Sequence, residues 1–307
     1  MKSRRNFIKK AGFVALGFSM LPNELFANND LIKLTILHTN DMHSHIHPFT
    51  SGRNKGLGGM AQRATLIKKI RQENEHVLLL DAGDIFQGTP YFNFYGGELE
   101  FKLMSEMQYD AATIGNHDFD NGLDGIYKQL PHAKFPFLCS NYDFSDTLLN
   151  GQFKPYKVFE KGGVKIGVFG VGIELNGLVP KTLYGNTIYS NPIPKSNYYA
   201  NHLRNELGCD LVICLSHLGF KYKEQKIDDI NLAENTKNID LIIGGHTHTF
   251  LNQPILKSNS EQNKVIIAQV GWAGIKVGQI DYFFSQKKVI KNFFGASICV
   301  KNEQKWT

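Results

Sequence analysis

Asp41-Met42-His43, Gly83-Asp84, Gly115-Asn116-His117-Asp118, His217 and Gly244-Gly245-His246-Thr247-His248 lie in that order along the chain. Each cluster closes a short apolar run of the kind that forms a buried strand. Asp and His are hard or borderline ligands for divalent cations, and Asn offers a neutral carbonyl oxygen. Seven groups result: Asp41, His43, Asp84, Asn116, His217, His246 and His248. They are too many for one tetrahedral site, and they suit two divalent metal ions ~3.5–4 Å apart with positions left for water and substrate. Asp84 is the candidate bridge, because one carboxylate offers an oxygen to each cation. A hydroxide held between the metals would attack phosphorus in line with the leaving oxygen, and the cations would offset the charge that develops. A mixed Asp/His/Asn set accepts Zn, Mn, Fe or Co, so metal identity stays open.

His117 follows Asn116 directly, so its side chain should diverge from that ligand. Asp120 lies three residues on, close enough to bond one imidazole nitrogen. Such a bond fixes the tautomer and favours the protonated ring. A cationic His117 near the phosphoryl group would stabilise the transition state or assist the leaving alkoxide. Asp118 reads as a loop support. Arg63 is expected on a solvated helix face rather than at a phosphate. His38, His45, His47, His76, His132 and His202 are expected to be surface or locally hydrogen-bonded imidazoles. Phe92, Phe94 and Tyr95 would line a substrate pocket or pack beneath a loop.

The elements that must position these groups alternate. Apolar runs predict strands over 33–38, 77–80, 111–114, 135–138, 164–171, 211–215, 239–243, 265–270 and 279–284. Helical spacing predicts helices over 60–74, 99–107, 121–130 and 196–207, with 232–237 part of another. Alternation of strand and helix implies an α/β fold in one domain. Gly167-Val168-Phe169-Gly170-Val171-Gly172 has glycines spaced like a dinucleotide loop. No clear helix or well-placed acid follows, so tight strand packing is expected there.

The chain has 307 residues, 42% hydrophobic and 20% charged, which suits a globular protein with a sizeable core. Its formal charge is +6, but Lys2, Arg4, Arg5, Lys9 and Lys10 against Glu24 hold +4 of that in residues 1–27. The remaining +2 leaves a nearly neutral body with no basic stripe, so nucleic acid is not an expected partner. Residues 3–9, with Arg4, Arg5 and Phe7, resemble a twin-arginine export signal. The apolar stretch that follows is too short for a stable membrane span, and a periplasmic or otherwise exported location is expected. Cys139, Cys209, Cys214 and Cys299 lack metal-site spacing. Cys139 and Cys214 read as core thiols, and Cys209 and Cys299 would be free to pair in an oxidising compartment.

Thr39-Asn40-Asp41-Met42-His43, Asp81-Ala82-Gly83-Asp84 with Gln87-Gly88-Thr89-Pro90, the run from Tyr109 to Asp120, and Gly245-His246-Thr247-His248 resemble the calcineurin-like metallophosphoesterases. The likeness is closest to the catalytic domain of the bacterial 5′-nucleotidase / UDP-sugar hydrolase family, over roughly residues 31–285. It implies a four-layer α/β sandwich of two β-sheets flanked by helices. It also implies one metal held by Asp41, His43, Asp84 and His248, a second held by Asp84, Asn116, His217 and His246, and a catalytic pair of His117 and Asp120. Two-domain members of that family add a C-terminal domain that clamps the base and contacts the phosphate. The expected organisation here is a signal peptide over 1–27 and a catalytic domain over 28–307, without that second domain. Either a separately encoded C-terminal nucleotidase chain supplies that half, or the substrate is another phosphoester. The function implied is an exported dinuclear phosphoester hydrolase, a 5′-nucleotidase-type phosphomonoesterase of nucleotide catabolism. The alternative is a phosphodiesterase or pyrophosphohydrolase acting on cyclic nucleotides or UDP-sugars. A binding protein on an inactive fold is disfavoured by the intact ligand set.

Overall fold

A computed structural model describes residues 31–301. The signal-type segment 1–27 lies outside the described residues, as does 302–307. The first half runs β1 (Ile32–Thr39), α1 (Met60–Glu73), β2 (Val77–Asp81), α2 (Pro90–Tyr95), α3 (Glu98–Glu106), β3 (Ala111–Ala112) and α4 (Gly122–Gln129). After β4 (Tyr142–Asp143) come β5 (Tyr156–Lys161), β6 (Val164–Gly172), α5 (Lys181–Tyr184), β7 (Ile188–Tyr189), α6 (Pro192–Asn201), β8 (Leu211–His217), α7 (Asp229–Glu234) and β9 (Leu241–Gly244). The chain then forms β10 (Ile255–Ser258), β11 (Lys264–Ala268), β12 (Lys276–Phe284) and β13 (Ile290–Cys299).

One sheet has the order β13-β12-β1-β2-β3 and the other β10-β11-β9-β8-β6-β5, while β4 and β7 pair as a ribbon. In the first sheet β1, β2 and β3 are parallel. In the second β6, β8, β9 and β11 are parallel. Side chains alternate across each strand, and both faces are covered. Leu34 and Ile36 of β1 and Leu78 and Leu80 of β2 face inward and meet Ile166, Val168, Ile213, Leu215 and Ile243 of the other sheet. Leu37, Val77 and Leu79 face outward against Ile67 and Ile70 of α1 and Phe101 and Met104 of α3. Val212, Cys214 and Ile242 pack against Ala200, Leu203, Leu232 and Ala233 on the far side. Helix, sheet, sheet and helix therefore stack as the four expected layers.

Boundaries differ where local chemistry intervenes. β3 is only two residues long, and 135–138 joins it through the isolated bridge Ala112↔Phe137. Pro136 lacks the N–H a full strand needs. The helix expected at 196–207 starts earlier, at Pro192, where Asn191 Oδ1 accepts the Ile193 N–H at 2.9 Å. It ends in a π-type turn over His202–Glu206. Gly170 lies where a Cβ would sit 1.9 Å from the Leu138 carbonyl oxygen, so the glycine-rich run is a tight strand contact.

Two expectations are corrected. Arg63 is fully buried, because Met60, Arg63, Ile67 and Ile70 form the inward stripe of α1. Its Nη1 donates to the Met42 sulfur. His38 is also fully buried, and its Nδ1 has no hydrogen-bond partner. Cys209 and Cys299 are unpaired, the first buried and the second exposed. Cys139 and Cys214 are buried, as expected of packed thiols. Phe92 is buried against Phe86, whereas Phe94 and Tyr95 are exposed. No helix among the described residues is long and apolar enough to cross a membrane.

Candidate metal centre

Every parallel strand that carries a candidate ligand delivers it at or just beyond its C-terminal end, where open α/β sheets place their sites. β1 leads to Asp41 and His43, β2 to Asp84, β3 to Asn116, β8 ends on His217, and β9 leads to His246 and His248. Five of these positions have positive φ: Asp41, His43, Asp84, His246 and His248, between 48° and 70°. Such backbone costs energy in non-glycine residues, and its clustering marks a site the surrounding fold holds in place. Gly115 is required here, since a Cβ would sit 2.2 Å from Asp84 Oδ1.

Two groups of donor atoms converge. Atoms of Asp41, His43 and His248 lie within 4.8 Å of one another, and so do atoms of Asp84, His217 and His246. Asp84 stands between the groups, with Oδ2 at 3.1 Å from His217 Nε2 and 3.8 Å from His43 Nε2. Asn116 Oδ1 is 2.7 Å from His246 Nδ1. His43 Nε2 is 2.9 Å from His248 Nε2. All seven sequence-derived ligand positions thus come together.

The donors fit divalent cations. His217 Nδ1 donates to the Ala82 carbonyl at 2.6 Å, which turns Nε2 toward Asp84, and that buried Nε2 makes no hydrogen bond. Burial lowers His43 to about 4 and His246 to about 3, and it lowers His248 as well. These rings are therefore neutral near pH 7 and present lone pairs. Burial opposes charge on both Asp84 and His217, yet their mutual attraction prevails and holds Asp84 down and His217 up. The same carboxylate field would attract a divalent cation, whose binding would require His217 to give up its proton.

His117 stands beside the ligands without joining either group. Its Nδ1 is 2.9 Å from Asp120 Oδ2, and its ring centroid is 5.3 Å from that of His43. The bond to Asp120 raises the His117 pKa against the effect of burial. Asp118 accepts four backbone N–H groups, from Asp84, Ile85, Phe86 and Gly115. It ties the β2 and β3 loops together.

Sequence reasoning missed several supports. Asn40 donates to Asp41 and to the Gly271 carbonyl. Gln269 bonds Gly245 O, the Thr249 N–H and the Thr247 hydroxyl, pinning the loop that carries His246 and His248. A polar Gln at the end of the apolar run before Val270 was the available signal. Trp272 stacks on His248 at 5.6 Å with an interplanar angle of 8°. Beside His246 opens a cavity of ≈ 580 Å³.

Residues 34–250 match the calcineurin-like phosphoesterase family, and the chain belongs to it. Among its relatives, a snake venom 5′-nucleotidase from Crotalus adamanteus is 35% identical over 292 residues, covering 85% of this chain and 47% of that protein. The crystal structure of a 5′-nucleotidase precursor from Thermus thermophilus superposes with a TM-score of 0.78 at 31% identity, over 88% of this chain and 55% of that one. The Haemophilus influenzae NAD nucleotidase structure gives 0.77 at 27% identity, over 88% and 57%. The chain spans about half the length of the curated relatives it matches.

Proposed function

We propose that this chain is the catalytic half of a dinuclear phosphomonoesterase of the 5′-nucleotidase type. The observation that carries this is Asp84, a buried carboxylate standing between two convergent sets of ligand atoms. Asp41, His43, Asp84 and His248 would hold one divalent cation, and Asp84, Asn116, His217 and His246 the other. When bound, such ions acidify a water and screen the phosphoryl oxygens.

The chain's own residues do the rest. Asn40 and the His246 N–H fix the two oxygens of Asp41. The Ala82 carbonyl fixes the tautomer of His217. Protonated His117, oriented by Asp120, offers a proton to the departing oxygen. In the net reaction the oxygen of water bonds phosphorus and the bond from phosphorus to the leaving oxygen breaks. That oxygen takes a proton, giving a free alcohol and inorganic phosphate.

The twin-arginine-type segment at residues 3–9 supports export. A panel of a 5′-nucleoside monophosphate, an aryl phosphate, a bis-aryl phosphate and a UDP-sugar, assayed with Mn²⁺ or Zn²⁺, tests the reading. Preference for the monoesters is expected. A clear preference for the diester or the UDP-sugar would overturn it.

A further inference from the structure

Beneath the ligand loops runs a buried polar path made of Arg63, Tyr109, Thr39 and Asp81, none of which belongs to either ligand group. Thr39 and Asp81 are register partners at the C-terminal ends of β1 and β2. The Thr39 hydroxyl donates to Asp81 Oδ2 at 2.6 Å, so at 2.9 Å it accepts from the Tyr109 hydroxyl. Asp81 Oδ1 accepts the Gly83 N–H at 2.9 Å. Every donor points toward the Asp81 carboxylate, and bonds aligned in this way polarise one another. The Gly83 carbonyl in turn accepts the Asp41 N–H at 2.9 Å, and Gly83 directly precedes Asp84. We propose that Arg63 is a positioning residue for the metal centre, acting through Tyr109, Thr39 and Asp81 to hold the loops that carry Asp41 and Asp84.

Arg63 closes the far end of the path. Burial raises the Tyr109 pKa, and the nearby guanidinium pulls it back by its charge and its N–H. The guanidinium also lies against the sulfur of Met42, the residue between Asp41 and His43. A Cβ on Gly274 would sit 2.8 Å from Arg63 Nη2, so that glycine makes room for the head group. The neighbouring Ala273 N–H donates to the Asp41 carbonyl at 2.7 Å. Arg63 Nε and Nη2 have no hydrogen-bond partner among the protein's atoms. A cation with unpaired donors is costly to bury, and packing alone would be served as well by an apolar side chain. Its charge has a target in Asp81. Burial pushes that carboxyl up to about 7, and Thr39, Gly83 and Arg63 all act against the rise. Kept ionised, Asp81 accepts from Thr39 and Gly83 together, which fixes the backbone between Asp81 and Asp84.

The proposal rests on the dinuclear reading, and its test separates the two. The full chain is stripped of metal and titrated with Mn²⁺ by calorimetry, and the metal-free Tm is measured alongside. Wild type should bind two ions. Arg63→Met removes the charge and keeps a side chain of similar length, while Tyr109→Phe removes one hydroxyl from the middle of the path. Each should weaken Mn²⁺ by about 10–100-fold, the usual effect of losing an outer partner of a ligand. Tyr109→Phe should lower the metal-free Tm by no more than about 2–4 °C, the effect of one hydrogen bond. The double variant should bind Mn²⁺ within about threefold of the weaker single variant, because both changes interrupt one path. A side chain that only filled the inward stripe of α1 would move the metal-free Tm and leave Mn²⁺ affinity unchanged. Unchanged affinity in either folded single variant, or losses that multiply in the double variant, overturns the proposal and leaves the centre intact. If Arg63→Met does not fold, Tyr109→Phe decides alone: a tenfold loss upholds the path and an unchanged affinity overturns it. Wild type that binds fewer than two ions sinks the dinuclear centre, and the positioning role with it. Two ions that the variants loosen, in a chain inert toward every phosphoester, uphold the positioning role and sink the phosphomonoesterase reading instead.

Discussion

Asp84 and His117 sit 33 positions apart and touch through the His117 N–H and Asp84 Oδ1 at 2.8 Å, yet their substitutions should separate cleanly. Asp84→Ala removes the one carboxylate that faces both ligand groups, so it should lose both metals and abolish activity. His117→Asn should keep both metals and lower kcat by about 10²–10⁴-fold, the span of a lost general acid or charge stabiliser. Metal analysis beside steady-state kinetics checks the pair. Metal loss in His117→Asn would make that side chain a ligand and refute its assigned role. These residues were legible because five dense clusters each closed an apolar run. Arg63 and Gln269 were not, since their roles depend on what lies beside them in space. The inward stripe of α1 was readable from its spacing, and a basic residue on it argued against burial without deciding the matter.

At the scale of elements, the strands buried on both faces were legible because continuous apolar runs admit few other readings. β5, β10 and β13 were missed. They are edge strands whose outer positions are half-exposed, so their periodicity is diluted. The register of β1 against β12 carries information no local pattern holds: His38 lies opposite Gly278, where a Cβ would sit 1.9 Å from the imidazole. Burial alone lowers His38 to about 3, against 6.5 for an ordinary imidazole. The unfolded chain therefore takes up a proton that the folded chain refuses. Above pH 6.5 neither state is charged there, and His38 leaves stability independent of pH. Between about 6.5 and 3 it should erode stability at up to about 1.4 kcal/mol per pH unit. Replacing it by the uncharged, similar-sized leucine, His38→Leu, should flatten that slope. Denaturant midpoints from about pH 8 to about pH 4.5 measure it, and parallel profiles for both proteins would disprove the assignment.

At the scale of the whole molecule, the two sheets make different contributions to one end of the sandwich. Asp41, Asp84 and Asn116 follow strands of the first sheet, and His217, His246 and His248 belong to strands or loops of the second. Each proposed cation would draw ligands from both, so the metals should fasten the sheets together at the site end. A site held at a hundredfold excess of cation over its Kd adds about 2.7 kcal/mol to the folded state. At roughly 2–4 °C per kcal/mol for a domain of this size, two such sites should raise Tm by about 10–20 °C. The apolar core between the sheets does not depend on the metal, so the chelated protein should remain folded. Its loss of hydrogen-exchange protection should concentrate in the loops after β1, β2, β8 and β9. Exhaustive chelation followed by titration with Mn²⁺ or Zn²⁺ should restore Tm and activity together, saturating at two ions per chain. A stoichiometry of one, or full activity after chelation, would refute the dinuclear centre. A Tm indifferent to metal would show that the strained loops are held by their hydrogen bonds alone, with Asp118 and Gln269 sufficient to shape an empty site.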